Sequence, residues 1–166
     1  MEQSIANAKG VYSFEQVRDG VVIDSWTVDN IVPLEGRNYI LNTAFVSGTP
    51  STSWYVGLFQ GNYTPIDGDS AASFVATATE CTSYTETTRQ ACTFASSTAA
   101  ALTNAASLAS FTFNATVTVY GSFISSASAK SSVVGVLGSA AKFPTAKSMT
   151  SGDILRVTYA LSLTSA

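Results

Sequence analysis

The chain has no histidine. That removes the commonest general base and the commonest zinc ligand. Ser–His–Asp and Cys–His catalysis are excluded with it. Only two cysteines are present, Cys81 and Cys92, and a lone pair spaced eleven apart is not a structural zinc signature. Charge is scarce as well: Asp, Glu, Lys and Arg make up 11% of the 166 residues, against about 25% in an average soluble domain. The eight Lys and Arg residues never cluster, whereas binding a phosphate backbone needs several cations on one face. No nucleic-acid partner is therefore expected. No apolar run approaches the ~20 residues of a membrane span, so no membrane partner is expected either. Met1-Glu2-Gln3-Ser4-Ile5 lacks the basic and apolar regions of a signal peptide, and the expectation is synthesis and use in a cytoplasm. Gly57 and Gly61 have no Lys-Ser/Thr after them, so there is no phosphate loop. No cofactor and no catalytic residue are assigned.

What is present is hydrophobic and hydroxylated. Hydrophobic residues make up 46% of the chain, far from a disordered composition. The length fits one domain with a core of its own. Ser and Thr supply about a quarter of the residues. A surface this poor in charge is unusual for a free monomer. Either copies and partners cover much of it, or Ser and Thr keep it wet.

Turn signals divide the chain into short runs. Gly10–Val17 and Val21–Val28 flank Arg18-Asp19-Gly20, and Asp-Gly between such runs predicts a hairpin. The alternation in both runs is imperfect, which leaves the buried face open. Leu34–Phe45 is the one amphipathic helix expected, with Ile40 and Ala44, and Leu41 and Phe45, at i, i+4. Trp54–Phe59 reads as a buried strand feeding an aromatic turn that ends at Pro65. Thr64–Ala76 reads as a long connection. Ala78–Tyr84 and Arg89–Ala95 read as paired strands, and Ser96–Ala109 as loop. Phe111–Tyr120 alternates strictly and reads as the clearest strand, with Gly121 a bulge or bend. Val133–Leu137 is a short strand, Phe143–Met149 is irregular, and Ile154–Leu163 is a closing strand. The expected fold is all-β: an antiparallel β-sandwich, jelly-roll-like, with one short helix. Residues 1–9 are expected as an N-terminal arm and 10–166 as a single β domain.

Several constellations bear weighing. If residues 80–94 form a hairpin turning near Glu86-Thr87, Cys81 and Cys92 face each other and a disulfide is possible. The alternative is two reduced thiols acting as small hydrophobes, which a reducing cytoplasm favours. Asp67-Gly68-Asp69 opens like a calcium loop, but position twelve is Ala78 rather than Glu, so no metal site is assigned. On the same hairpin Arg89 would stack on Tyr84 or meet Glu80 or Glu86. That is either a cross-strand polar contact or part of a subunit interface. Trp54, Tyr55, Phe59 and Tyr63 would be a sugar platform only if they shared a face. Division between core and interface is the expectation. Tyr63, Pro65, Tyr84 and Arg89 are the candidate interface residues.

One ordered set of segments is more specific than any of these. Arg18-Asp19-Gly20, Trp26 with Asn30-Ile31-Val32, and Glu35-Gly36-Arg37-Asn38-Tyr39-Ile40-Leu41 come first. Trp54 to Pro65, then Tyr84 and Arg89, follow. Val119-Tyr120-Gly121-Ser122-Phe123-Ile124-Ser125-Ser126-Ala127-Ser128-Ala129-Lys130 and Ser151-Gly152-Asp153-Ile154-Leu155-Arg156-Val157-Thr158-Tyr159 complete the pattern. Together they resemble a family of small virion structural proteins of tailed bacteriophages, over nearly the whole chain. The resemblance implies a non-enzymatic role, with no catalytic residues and no cofactor. It points to a capsid decoration, or cement, protein on the head surface, made in the host cytoplasm. Its partners would be the major capsid protein and copies of itself, as a homotrimer, with arm exchange by residues 1–9. The alternatives are a tail, collar or baseplate component or fibre anchor, and less so a carbohydrate-binding host-attachment module.

Overall fold

The computed structural model describes residues 6–97 and 99–165. The elements are β1 (Ala6–Arg18), β2 (Val21–Asp29), α1 (Leu34–Phe45), β3 (Tyr55–Phe59), α2 (Ala71–Ala78), β4 (Glu80–Cys81), β5 (Gln90–Ala91), β6 (Ala101–Thr103), β7 (Ala109–Thr112), β8 (Val117–Ser125), β9 (Leu137–Met149) and β10 (Ile154–Ser165). They make two antiparallel five-stranded sheets, and the expected β-sandwich forms. In the first sheet β1 and β10 are central, β2 flanks β1, and β6 and β7 share the far edge of β10. In the second, β3 and β8 are central, β9 flanks β8, and β4 and β5 share the far edge of β3.

The Asp19-Gly20 turn behaves as its sequence demands. Both residues sit at positive φ, 50° and 79°, the conformation a two-residue hairpin needs. A register shift between Gln16 and Val17 explains the imperfect alternation. Tyr12, Phe14 and Gln16 are buried, and so is Val17, because the bulge turns the strand's inward face over by one residue.

The main core lies between the sheets. Tyr12, Phe14, Leu155 and Val157 from one meet Val56, Leu58, Val119 and Ile124 from the other. Each such burial stabilises the fold by about 1.5–3 kcal/mol. A second cluster covers the outer face of the β3–β8 sheet. There Phe74 of α2 packs edge-on against Phe59 at 5.5 Å and Phe123 at 5.4 Å. Gly57 and Gly121 make this packing possible. Gly57 pairs with Phe123 and Phe59 with Gly121. Each ring lies over the opposing glycine, where a Cβ would collide.

Several expectations need correcting. Val133–Leu137 is not a strand of its own: residues 133–136 are irregular, and Leu137 opens β9. The Thr64–Ala76 connection holds most of α2, so the described residues form two helices. Its signal was legible: Ala71, Phe74, Val75 and Ala78 are all buried at i, i+3, i+4 and i+7. Phe111–Tyr120 is not one strand. It leaves the first sheet after Thr112, turns through exposed Asn114-Ala115-Thr116, and enters the second at Val117. Alternation persists across the switch because both segments face the same core. Residues 80–94 do not form a hairpin, because β4 and β5 both pair with β3. Phe143–Met149 belongs to β9, where Pro144 is tolerated because the strand is at an edge.

The Ser96–Ala109 segment holds the short β6 and a side chain that completes a ladder. Asn104 is fully buried between β6 and β7. Its Oδ1 accepts from Tyr159 N at 2.7 Å, and its Nδ2 donates to Val157 O at 3.2 Å. A side-chain amide thus replaces a backbone pair exactly where β10 changes partner strand. Of the expected arm, residues 6–9 pair with Ser162–Ser165 of β10. Residues 1–5 lie outside the described residues.

Candidate interaction surface

α1 is built to hold its first turn in place and leave its outer face bare. Glu35 Oε2 accepts from Ala71 N at 2.8 Å and Leu137 N at 2.6 Å. It thereby caps α2 and ties both segments to the helix. Gly36 sits against the backbone carbonyls of Leu137 and Gly138, with no room for a Cβ. Tyr39 meets Trp54 edge-on at 5.3 Å. The helix stops where Ser47 takes a φ of 60° and Gly48 N donates back to Asn42 O. Leu34, Leu41 and Phe45 form the opposite stripe, at i, i+7 and i+11. They are 50%, 54% and 81% exposed, and Val46 beyond them is 69% exposed. The Leu41–Phe45 pair that marked this segment as an amphipathic helix therefore faces outward.

The turn carrying Tyr63 and Pro65 adjoins the same surface. Leu34 N donates to Asp67 O at 3.0 Å. Arg37 grips the Asp67 carboxylate with two hydrogen bonds, of 2.7 and 3.0 Å. Tyr63 Oη donates to Asp69 Oδ1 at 2.8 Å, and Ile66 N donates to Asp69 Oδ2 at 2.8 Å. Tyr63 and Pro65 are half-buried, and Ile66 between them and α1 is exposed. Both charges of α1, Glu35 and Arg37, are thus engaged within the chain. Among the described residues no cluster of three or more metal-binding side chains occurs. Asp67 and Asp69 are held by their own turn and by α1.

Tyr84 and Arg89 are not surface residues. Arg89 pairs with Glu80 through Nε at 2.9 Å and Nη2 at 2.8 Å, with side chains 0% and 1% exposed. Arg89 also donates to Ala127 O and Ser132 O, and Glu80 accepts from Ser131 N. The pair is the fastening of the loop between β8 and β9. Tyr84 packs edge-on against Phe111 at 4.9 Å, under Lys130 Nζ 3.7 Å from its ring centre. Burial and nearby Glu80 push the Tyr84 hydroxyl well above its ordinary pKa. Glu80 was rightly among the expected partners of Arg89. What the pattern did not show is that β3 places the pair inside the fold.

Cys81 and Cys92 are both free and buried. Cys81 is opposite Leu58, while Cys92 N bonds Trp54 O. Leu58 and Trp54, the residue just before β3, are four positions apart, roughly 13 Å at the rise of a strand, well beyond disulfide reach. Burial raises both thiols, that of Cys92 to about 12. The aromatic platform does not assemble either: Phe59 is fully buried under Phe74, and Trp54 leans on Tyr39.

Neither a scan against protein-family models nor a search of curated proteins finds a match to the chain.

Proposed function

We propose that the chain is a non-enzymatic structural protein of a tailed-phage particle, a capsid decoration protein on the head surface. It would bridge major capsid subunits as a homotrimer. The observation that carries this reading is the uncharged outer stripe of α1, Leu34, Leu41 and Phe45, beside the turn of Tyr63, Pro65 and Ile66. Clustered exposed apolar side chains mark interaction surfaces. Arg37 beside the stripe is already paired with Asp67, so burying the apolar stripe leaves no unpaired charge of α1 behind. The segment-by-segment resemblance to phage virion proteins supplies the kind of partner. Many copies acting on one shell make modest contacts effective.

Copy number tests the reading. Stained-gel stoichiometry of purified particles against the major capsid protein should give hundreds of copies. Tens or fewer would move the protein to the tail, collar or baseplate. Absence from purified particles would remove the virion role.

A further inference from the structure

The sandwich is not filled beneath α1. An apolar pocket of about 190 Å³, partly open to solvent, lies between the inner side of the helix and the two sheets. Gly36, Tyr39 and Ile40 form its helical wall. Ile124 closes it from the second sheet and Leu161 from the first, with Leu102 beside it on β6. Among the described residues no charged side chain lines it.

Folded interiors pack at the density of organic crystals, and few voids exceed the size of a water. A pocket of this volume leaves its apolar lining, Trp54 and Phe94 included, without partner atoms on one side. Water finds few partners there, because the hydroxyls on its wall, Ser139 and Tyr159, already bond Tyr12 and Asn30, and a held water needs two to four polar partners. An apolar cavity of about 150 Å³ stays dry and takes up benzene or xenon. We infer that this cavity is a binding site for a neutral apolar molecule about the size of one aromatic ring.

The construction of α1 suits such a site. Gly36 is the only fully buried residue of the helix, and Glu35 and Gly36 fix its first turn. The half carrying Leu41 and Phe45 is exposed and lightly held, and weakly packed elements open most readily. The open side of the pocket admits the ligand, α1 is the wall that adjusts around it, and the two sheets are the fixed walls. The site is separate from the outer stripe of α1, so its occupancy does not depend on the proposed place in a virion.

Benzene is the probe. Thermal unfolding of the whole protein is followed as benzene is raised towards its solubility limit. The wild type should gain a few degrees in Tm, saturably, as expected for a ligand that binds only the folded state. Nuclear Overhauser contacts should run from benzene to the Ile124 and Leu161 methyl groups. Two variants fill the space from different walls, Ile40→Phe and Leu102→Phe. Whichever folds should lose both the Tm gain and the contacts. An unchanged wild-type Tm without methyl contacts overturns the inference. So does an equal gain in a folded, filled variant, since benzene would then be binding elsewhere.

Discussion

Four buried polar side chains each hold more than one segment. Arg89 and Glu80 fasten the β8–β9 loop, Asn104 completes the β10 ladder, and Asp153 closes the hairpin end. Removing one partner of a buried pair leaves the other charged and unpaired, at about 3–5 kcal/mol. Arg89→Met should lower stability by that amount in urea unfolding. Tyr84→Phe is the contrast: the hydroxyl bonds no described group, so its loss should shift the urea midpoint little. A loss of similar size in both variants would mean that packing around Tyr84, and not the ion pair, carries this corner. Asp153 gives a pH signature. Its carboxylate accepts from Arg18 Nε at 2.7 Å, Gln16 Nε2 at 2.9 Å and Thr150 N at 2.9 Å. The Arg18 guanidinium, with help from Thr150 and Gln16, holds it well below the usual carboxylate range. Its stabilisation is complete above the unfolded-state pKa near ~4 and is lost as pH falls through the depressed folded value. Wild-type stability should therefore drop below about pH 4 more steeply than that of Asp153→Asn. Parallel pH profiles would contradict this.

At the scale of elements, the proposed trimer would use a face of α1 that the fold itself does not bury. Its outer stripe contributes little to the core, so the double variant Leu41→Ser, Phe45→Ser should keep stability within about 1 kcal/mol of wild type. If the proposed trimer forms through this stripe, sedimentation velocity should show a trimer for the wild type and a smaller species for the variant. Unchanged association would move the interface elsewhere. The same helix shows what a single sequence can and cannot yield. Periodicity found α1 and its ends, but it could not say which apolar stripe faced the sheets, because both faces carry apolar residues. The Asp19-Gly20 turn was legible because its conformation is local. The pairing of β4 and β5 was not, because nothing in residues 80–94 encodes that β3 lies between them and the rest of the sheet. The same limit misplaced Tyr84 and Arg89. An arginine and an aromatic side chain near a turn look alike whether the turn ends in solvent or beneath a loop. Asn104 had no signal at all, since a buried amide serving as a ladder rung reads locally as one more loop asparagine.

At the scale of the whole molecule, the sheets are joined by distant partners. β1 and β10 pair residue for residue from Ala6 with Ser165 to Val17 with Ile154. They are the two central strands of their sheet. A chain ending before Ile154 loses the partner of β1 and the support of β6 and β7 together. Such a truncation should be unfolded by circular dichroism and cleaved rapidly by protease, where the full chain resists. A protease-resistant truncation would show that the β3–β8 sheet folds alone.

The β1–β10 ladder also sets a waiting time during synthesis. The ribosome adds about 5–20 residues per second. Roughly 7–30 s therefore pass between completion of β1 and the start of β10. Throughout that interval Tyr12, Phe14 and Val17, buried in the finished fold, have no lasting cover. Transiently exposed apolar surface is prone to aggregate, so slower translation should lower the folded yield in a cell even where final stability is unchanged.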